Sequence, residues 1–237
     1  GASPVNAPFD CVLGRYNDIE ATRTLIAQHA DDLAAVILEP MLGGGGCIPA
    51  EAGFLSMLQE ETRARGIVLI FDEVMTSRLH PGGLSARFGI EPDLKTLGKY
   101  VGGGMSFGAF GGKREIMAQF DPTGPNPLPH AGTFNNNTLT MTAGHAAMTE
   151  IFTPEACIAL NARGDRLRDR LNDLFMRYQV RMQAKGIGSM MTLHPLGGDI
   201  TSPEATEHAD IRLKRLLFLD LLESGFYMAE RGFVALS

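Results

Sequence analysis

Apolar and polar positions change period several times along the first third of this chain, and each change marks an element. "YNDIEATRTLIAQHADD" opens on an Asn/Asp cap signal and sets Ile19, Leu25 and Ile26 at helical spacing. "LAAVILEP" is an apolar run too short for a helix, ended by Pro40, which predicts a buried strand. "PAEAGFLSMLQEETRARG" predicts a helix, with Pro49 early, acids in its first turns, Arg63 and Arg65 near its end and Gly66 as the stop. "IVLIFDEV" is a second buried strand, uncharged up to Asp72. Strand, helix and strand at this spacing form a βαβ unit and hence a parallel sheet. Ligands of such sheets bind beyond the carboxyl ends of the strands, where Glu39 and Asp72 lie.

Further on the pattern loosens. Leu79 to Val101 reads as loop, with "HPGG" and "EPDLKTLGKY". "SFGAFGG" predicts a short strand whose glycines admit a close neighbour, and "KREIMAQF" a short helix. Asp121 to Asn137, rich in Pro, Gly and Asn, predicts an ordered loop, and "TLTMTAGHAAMTEIF" a helix of small residues with Thr138 as its N-cap. Pro154 marks a boundary. A charged amphipathic helix from Glu155 to Lys185, a strand near "GSMMTLHP" and a helix from Ala205 to Ser224 are expected after it. The expected organisation is a larger portion over 1–153 and a smaller α+β lobe over 154–237.

Composition narrows the class. The chain has 237 residues, 44% of them hydrophobic and 20% charged, as soluble globular proteins do. A net charge of −6 argues against nucleic acid as the main partner, because phosphate binding needs a basic surface. No run of about 18 apolar residues points to a membrane span, and "GASPVNAPFD" lacks the features of a signal peptide. Cys11, Cys47 and Cys157 are odd in number and far apart, which fits reduced thiols and a cytoplasmic setting. They form no metal pattern with the six scattered histidines, which read as surface or satisfied core residues.

The chemistry gathers around "TLGKYVGGGMSFGAFGG", where Lys99 stands between Gly98 and a run of glycines. Lysine is ordinarily a solvated surface residue and glycine weakens regular structure, so the placement calls for a reason. Asp72 at a strand end and the hydroxyl-bearing "HAGTFNNN" are each commonplace alone. "GGGG" over 43–46 lacks the Lys-Ser/Thr of a P-loop and reads as a strand-to-helix turn near the substrate entrance.

Taken in order, "VILEP", "FDEVMTSR", "PDLKTLGKYVGGG…GAFGG" and "HAGTFNNNTLTMTAG" resemble the class III aminotransferases, nearest the glutamate-1-semialdehyde aminomutase-like branch. These are pyridoxal 5'-phosphate enzymes of the aspartate-aminotransferase fold. The resemblance is strong from Val36 to Thr149 and thins after Pro154. It implies an α/β fold: a partial aspartate-aminotransferase-like architecture with a parallel-rich sheet, flanking helices and a smaller C-terminal lobe. It implies Lys99 as the Schiff-base lysine, Asp72 as partner of the pyridine nitrogen and Val74 as the apolar residue packed on the ring. Glu39 matches a supporting acid, read as structural, and Thr133 a threonine that reaches the cofactor phosphate of a neighbouring subunit. Lys95, four residues before Lys99, falls where the motif varies and reads as a surface lysine.

The resemblance also marks what is missing. Family members are about twice as long, and carry a phosphate-binding turn and a ring-stacking aromatic ahead of the region matching Gly1. The chain is therefore expected to be truncated at both ends and to hold its cofactor weakly. The implied activity is amino-group transfer between an amine or amino acid and a ketone, aldehyde or keto acid, in a homo-oligomer that is at least a dimer. An aminomutase reaction and a non-catalytic remnant that binds the cofactor or a partner are the alternatives.

Overall fold

A computed structural model describes residues 10–237. Helix α1 (Ile19–Gln28) starts where Asp18 accepts a hydrogen bond from the Ala21 amide, as its sequence predicts. Strand β1 (Ala35–Leu38) follows, then a two-stranded hairpin, β2 (Met41–Leu42) and β3 (Ile48–Pro49). Helix α2 (Ala52–Arg65) ends on Gly66 in the left-handed conformation, and β4 is Val68–Asp72. Pro49 lies in the hairpin rather than in α2, Glu51 takes the N-cap position, and the first turn of α2 holds no acid. The glycines 43–46 correspondingly turn the hairpin and do not lead from strand to helix.

The segment read as loop from Leu79 to Val101 is largely structured. It holds the short helix α3 (Gly83–Phe88) and a full strand, β5 (Leu94–Gly98). Strand β6 (Gly108–Gly112) pairs antiparallel with β5, so the four-stranded sheet runs β1-β4-β5-β6 with its first three strands parallel. The core on this sheet comes from α1 and α2: Ile26, Phe54, Leu55 and Leu58 close over Leu69 and Phe71. That burial is what the two apolar runs supply, at about 25 cal/mol per Å² of apolar surface removed from water.

Helix α4 (Arg114–Met117) and the loop to Asn137 stand as expected. Helix α5 (Thr138–Ala146) is capped by Asn137, whose Oδ1 accepts from the Leu139 and Thr140 amides, so Thr138 is the first helical residue rather than the cap. Helix α6 (Pro154–Arg177) begins at the expected proline behind the Thr153 cap but ends eight residues short of Lys185. Gln179 turns the chain at φ +54°, and β7 (Gln183–Ile187) begins soon after. Strands β7, β8 (Met190–His194) and β9 (Phe233–Ala235) form an antiparallel sheet, with α7 (Ile211–Glu223) between β8 and β9 in sequence. Its core joins Met182, Met191 and Leu193 to Leu167 and Leu171 of α6 and Leu217 of α7.

This second sheet is tied to the first half of the chain. Met41, Cys47, Leu79, Leu84, Ile187 and Met190 form one buried cluster. Asn161 of α6 donates to the Arg78 carbonyl at 2.9 Å and accepts from the Ser189 amide at 2.8 Å, so one buried side chain bridges both parts.

Candidate active site

Three strands of the parallel sheet end at the same edge, and each end carries one charged candidate. Glu39 follows β1, Asp72 closes β4 and Lys99 follows β5. The register sets Asp72 directly beside Thr96 of β5. Asp72 is half-buried and its Oδ1 accepts two hydrogen bonds, from the Val74 amide at 3.0 Å and from the Thr96 hydroxyl at 2.9 Å. Among the described residues no donor lies within hydrogen-bond distance of Oδ2.

Glu39 stands close enough to feel both partners. Burial pushes its carboxyl up from the ordinary carboxylate range, the Gly43 N–H on its Oε2 at 3.0 Å holds it down, the Asp72 charge raises it and the Lys99 charge lowers it. The hairpin glycine thus has a definite task, donating its amide to this acid. The Tyr16 hydroxyl bonds the Glu39 carbonyl at 2.8 Å and fixes the backbone from the other side.

Lys99 is exposed and has φ +52°, in the left-handed region that non-glycine residues rarely occupy. Gly98 before it is extended and packs on Val74, so closely that a Cβ at residue 98 would come 3.2 Å from Val74 Cγ1. Val74, half-buried, therefore sits next to the lysine's backbone. Of the glycines after Lys99, Gly102 and Gly103 are required by packing, while Gly104 faces open space. A Cβ on Gly103 would fall 2.3 Å from the Ala143 carbonyl of α5.

Lys95 is not the surface lysine its sequence suggests. Its Nζ lies 3.8 Å from Oε1 of Glu73, a fully buried carboxylate that also accepts the Leu84 and Ser85 amides at 2.5 and 3.1 Å. Glu73 and Lys95 are the residues missed from sequence. "DEV" carried the signal, since the second acid of a buried strand end demands a cation.

Thr133 lies apart from the others. It is exposed in the loop before α5, and no hydrogen bond joins it to Lys99 or Asp72. Beside it, a cavity of about 260 Å³ opens between Phe107, Phe134 and Thr140. A second, of about 180 Å³, lies by Arg63, Asp93 and Lys113, away from the strand-end cluster. Among the described residues no group of His, Cys, Asp and Glu side chains could hold a metal ion. No helix among them is long and apolar enough to cross a membrane.

The sheet thus sets two acids and a lysine, Glu39, Asp72 and Lys99, at the ends of its three parallel strands. The chain belongs to the class III aminotransferases: the family model "Aminotransferase class-III" matches residues 7–232. It is 52% identical over 235 residues to the beta-phenylalanine transaminase of Variovorax paradoxus, covering 99% of this chain and 54% of that protein. The crystal structure of the Variovorax beta-phenylalanine aminotransferase superposes with a TM-score of 0.96. An omega-transaminase structure from Sphaerobacter thermophilus matches at 39% identity and a TM-score of 0.88, over 94% of this chain and 51% of that one. A glutamate-1-semialdehyde 2,1-aminomutase of Lachnoclostridium phytofermentans is 36% identical over 98% of this chain and 55% of that protein. The chain thus spans about half the length of the relatives it matches.

Proposed function

We propose that this chain carries the lysine-bearing part of a pyridoxal-phosphate-dependent transaminase, one that moves an amino group between an amine or amino acid and a ketone, aldehyde or keto acid. The observation that carries this reading is the meeting of Lys99, Asp72 and Glu39 at one strand-end edge, with Oδ2 of Asp72 left without a donor among the described residues. Identity to a beta-phenylalanine transaminase, higher than to the aminomutase, favours transfer between two molecules and a β-amino acid as the donor to try first.

The residues present fit such a cofactor. The charges of exposed Lys99 and half-buried Asp72 both reach Glu39, and Val74 offers apolar surface against Gly98 and donates its amide to Asp72. When bound, pyridoxal phosphate supplies a conjugated ring that takes up the electrons of a substrate C–H bond. Lys99 would hold the group through its amine and carry protons at Nζ. Asp72 would keep a proton at the ring nitrogen through Oδ2. Glu39 supports the edge by ordering the hairpin turn. Because its Oε2 accepts the Gly43 amide of that turn at 3.0 Å, it is read as a structural acid rather than a proton carrier.

Thr133 would serve a second copy of the chain in a symmetric dimer, contacting the phosphate there. Its exposure, and that of Phe134 at 84%, support a segment covered by a partner. On this reading residues 1–153 form the cofactor portion and 154–237 the smaller lobe. Three cysteines, all free, support a reducing compartment such as the cytoplasm.

The test is amino transfer from a β-amino acid to an α-keto acid with added pyridoxal phosphate. Asp72→Ala should fold as wild type yet lose turnover by about 100-fold or more. Turnover within a few-fold of wild type, or none in the wild-type chain, contradicts the reading.

A further inference from the structure

We infer that Thr96 is a positioning residue for the Asp72 carboxylate, aiming Oδ2 at the cofactor ring. This rests on the transaminase reading of the site.

A carboxylate at a strand end turns about two side-chain torsions, and its free oxygen points nowhere in particular unless something holds the other. In this chain Oδ1 is held twice. The Val74 amide supplies one bond, from two residues along the same strand end, and follows Asp72 wherever the backbone moves. The Thr96 hydroxyl supplies the other, from the neighbouring strand. That second bond is the one that refers Asp72 to the strand leading into Lys99. Two donors saturate the lone pairs of Oδ1 and leave Oδ2 as the open acceptor.

The hydroxyl is itself well fixed. Thr96 is paired with Asp72 in the parallel ladder, and its carbonyl accepts from the Glu73 amide at 3.1 Å. One residue thus holds both 72 and 73, the backbone through its carbonyl and the side chain through its hydroxyl. Threonine's β-branch restricts its χ1, so the donor is presented with little loss of side-chain freedom. Among the described residues Asp72 Oδ1 is the acceptor available to this hydroxyl. On the opposite face of the same strand, Lys95 approaches Glu73, so neighbouring polar residues of β5 address Asp72 at the end of β4 and Glu73 just after it separately.

The experiment titrates the chain with pyridoxal phosphate and reads the dissociation constant and the visible absorption band for wild type, Thr96→Val, Thr96→Ser, Asp72→Asn and the double variant Asp72→Asn/Thr96→Val. Thr96→Val is expected to weaken binding about 5- to 10-fold, the upper range of a typical intramolecular hydrogen bond, since Thr96 acts through Asp72 and does not itself touch the cofactor. It should shift the band in the same direction as Asp72→Asn, by less. Thr96→Ser should restore both, and the double variant should bind no more weakly than Asp72→Asn alone. Melting of the cofactor-free chain reports the fold of each variant. Equal and additive weakening by Thr96→Val in the Asp72→Asn background would show that Thr96 acts independently of Asp72 and overturn the assignment. Wild-type binding by Thr96→Val, beside an impaired Asp72→Asn, overturns the role of Thr96 alone. Wild-type binding by Asp72→Asn overturns the reading of the site along with it.

Discussion

Lys95 Nζ stands 3.8 Å from Oε1 of Glu73, the cation that approaches a carboxylate with no exposure to solvent. Two backbone amides at the start of α3 complete the acid's partners, so Glu73 clamps α3 onto the end of β4. Glu73→Ala strands those amides and is expected to cost about 3–5 kcal/mol of stability. Lys95→Met removes the half-exposed partner alone and should cost less, about 1–2 kcal/mol. Urea melts of both variants check the order. A neutral Lys95→Met would show that the amides suffice for the acid.

Glu39 carries a stability term that depends on pH. Burial raises its carboxyl above the ordinary range, so the folded chain binds the proton more tightly than the unfolded one. That contribution is fully present below the unfolded value, about 4.3, and is lost as pH rises through the folded one. Glu39→Gln keeps an acceptor for the Gly43 amide and removes the charge. Its Tm should exceed that of wild type at pH 7.5, and the difference should vanish towards pH 4. A variant less stable at both values would mean that the charge of Glu39 supports the fold.

His194 runs the other way. It is buried on β8, its Nε2 lies 2.7 Å from the Gly46 carbonyl, and its Nδ1 has no partner. Burial lowers its pKa, the Gly46 contact raises it, and the charges of Lys214 and Lys185 lower it. A depressed folded pKa gives stability that is present above the unfolded value of about 6.5 and lost as pH falls through the folded one. The stability difference between wild type and His194→Gln should therefore shrink between pH 7 and pH 5, read from denaturation midpoints. Gly46→Ala at the same contact should be destabilising by about 1–3 kcal/mol, since φ is +108° and the new Cβ would meet the ring at 2.7 Å.

Thr133 acting in a partner's site has its own signature. Lys99→Ala and Thr133→Ala, each inactive alone, should regain part of the activity once mixed and allowed to exchange subunits. One site in each mixed dimer then holds both native residues. No recovery after proven exchange would place Thr133 in its own chain's site or outside the chemistry.

The parts of the fold legible from sequence were those marked by local residue type. Strands β1 and β4 are continuous apolar runs, although Ile37 of the edge strand β1 is 63% exposed, and α2 announces its end with Gly66. Strand β5 was hidden by Lys95 and Thr96, two polar residues inside a strand. Their polarity is explained by partners distant in sequence, Glu73 and Asp72, which no local pattern reveals. Helix α3 was hidden by its length of 6 residues and by Gly82 and Gly83, the second of which makes room for Glu73. Lys185 likewise extended α6 on paper, although it pairs with Thr192 in a strand. Of the candidate site, Lys99, Asp72, Val74 and Glu39 were legible through motif order and lie at one strand-end edge, and their roles are proposals. Thr133 rests on resemblance and a proposed second subunit.

The central claim is that Lys99 is the amine that holds pyridoxal phosphate. The direct measurement is borohydride reduction of the chain mixed with pyridoxal phosphate, followed by proteolysis and mass spectrometry of the peptides. The account predicts a pyridoxyl group on Lys99, reduced in yield when Asp72 is replaced, with Lys95 unlabelled because Glu73 engages it. A pyridoxyl group on Lys95 or Lys113 with Lys99 unmodified would contradict it.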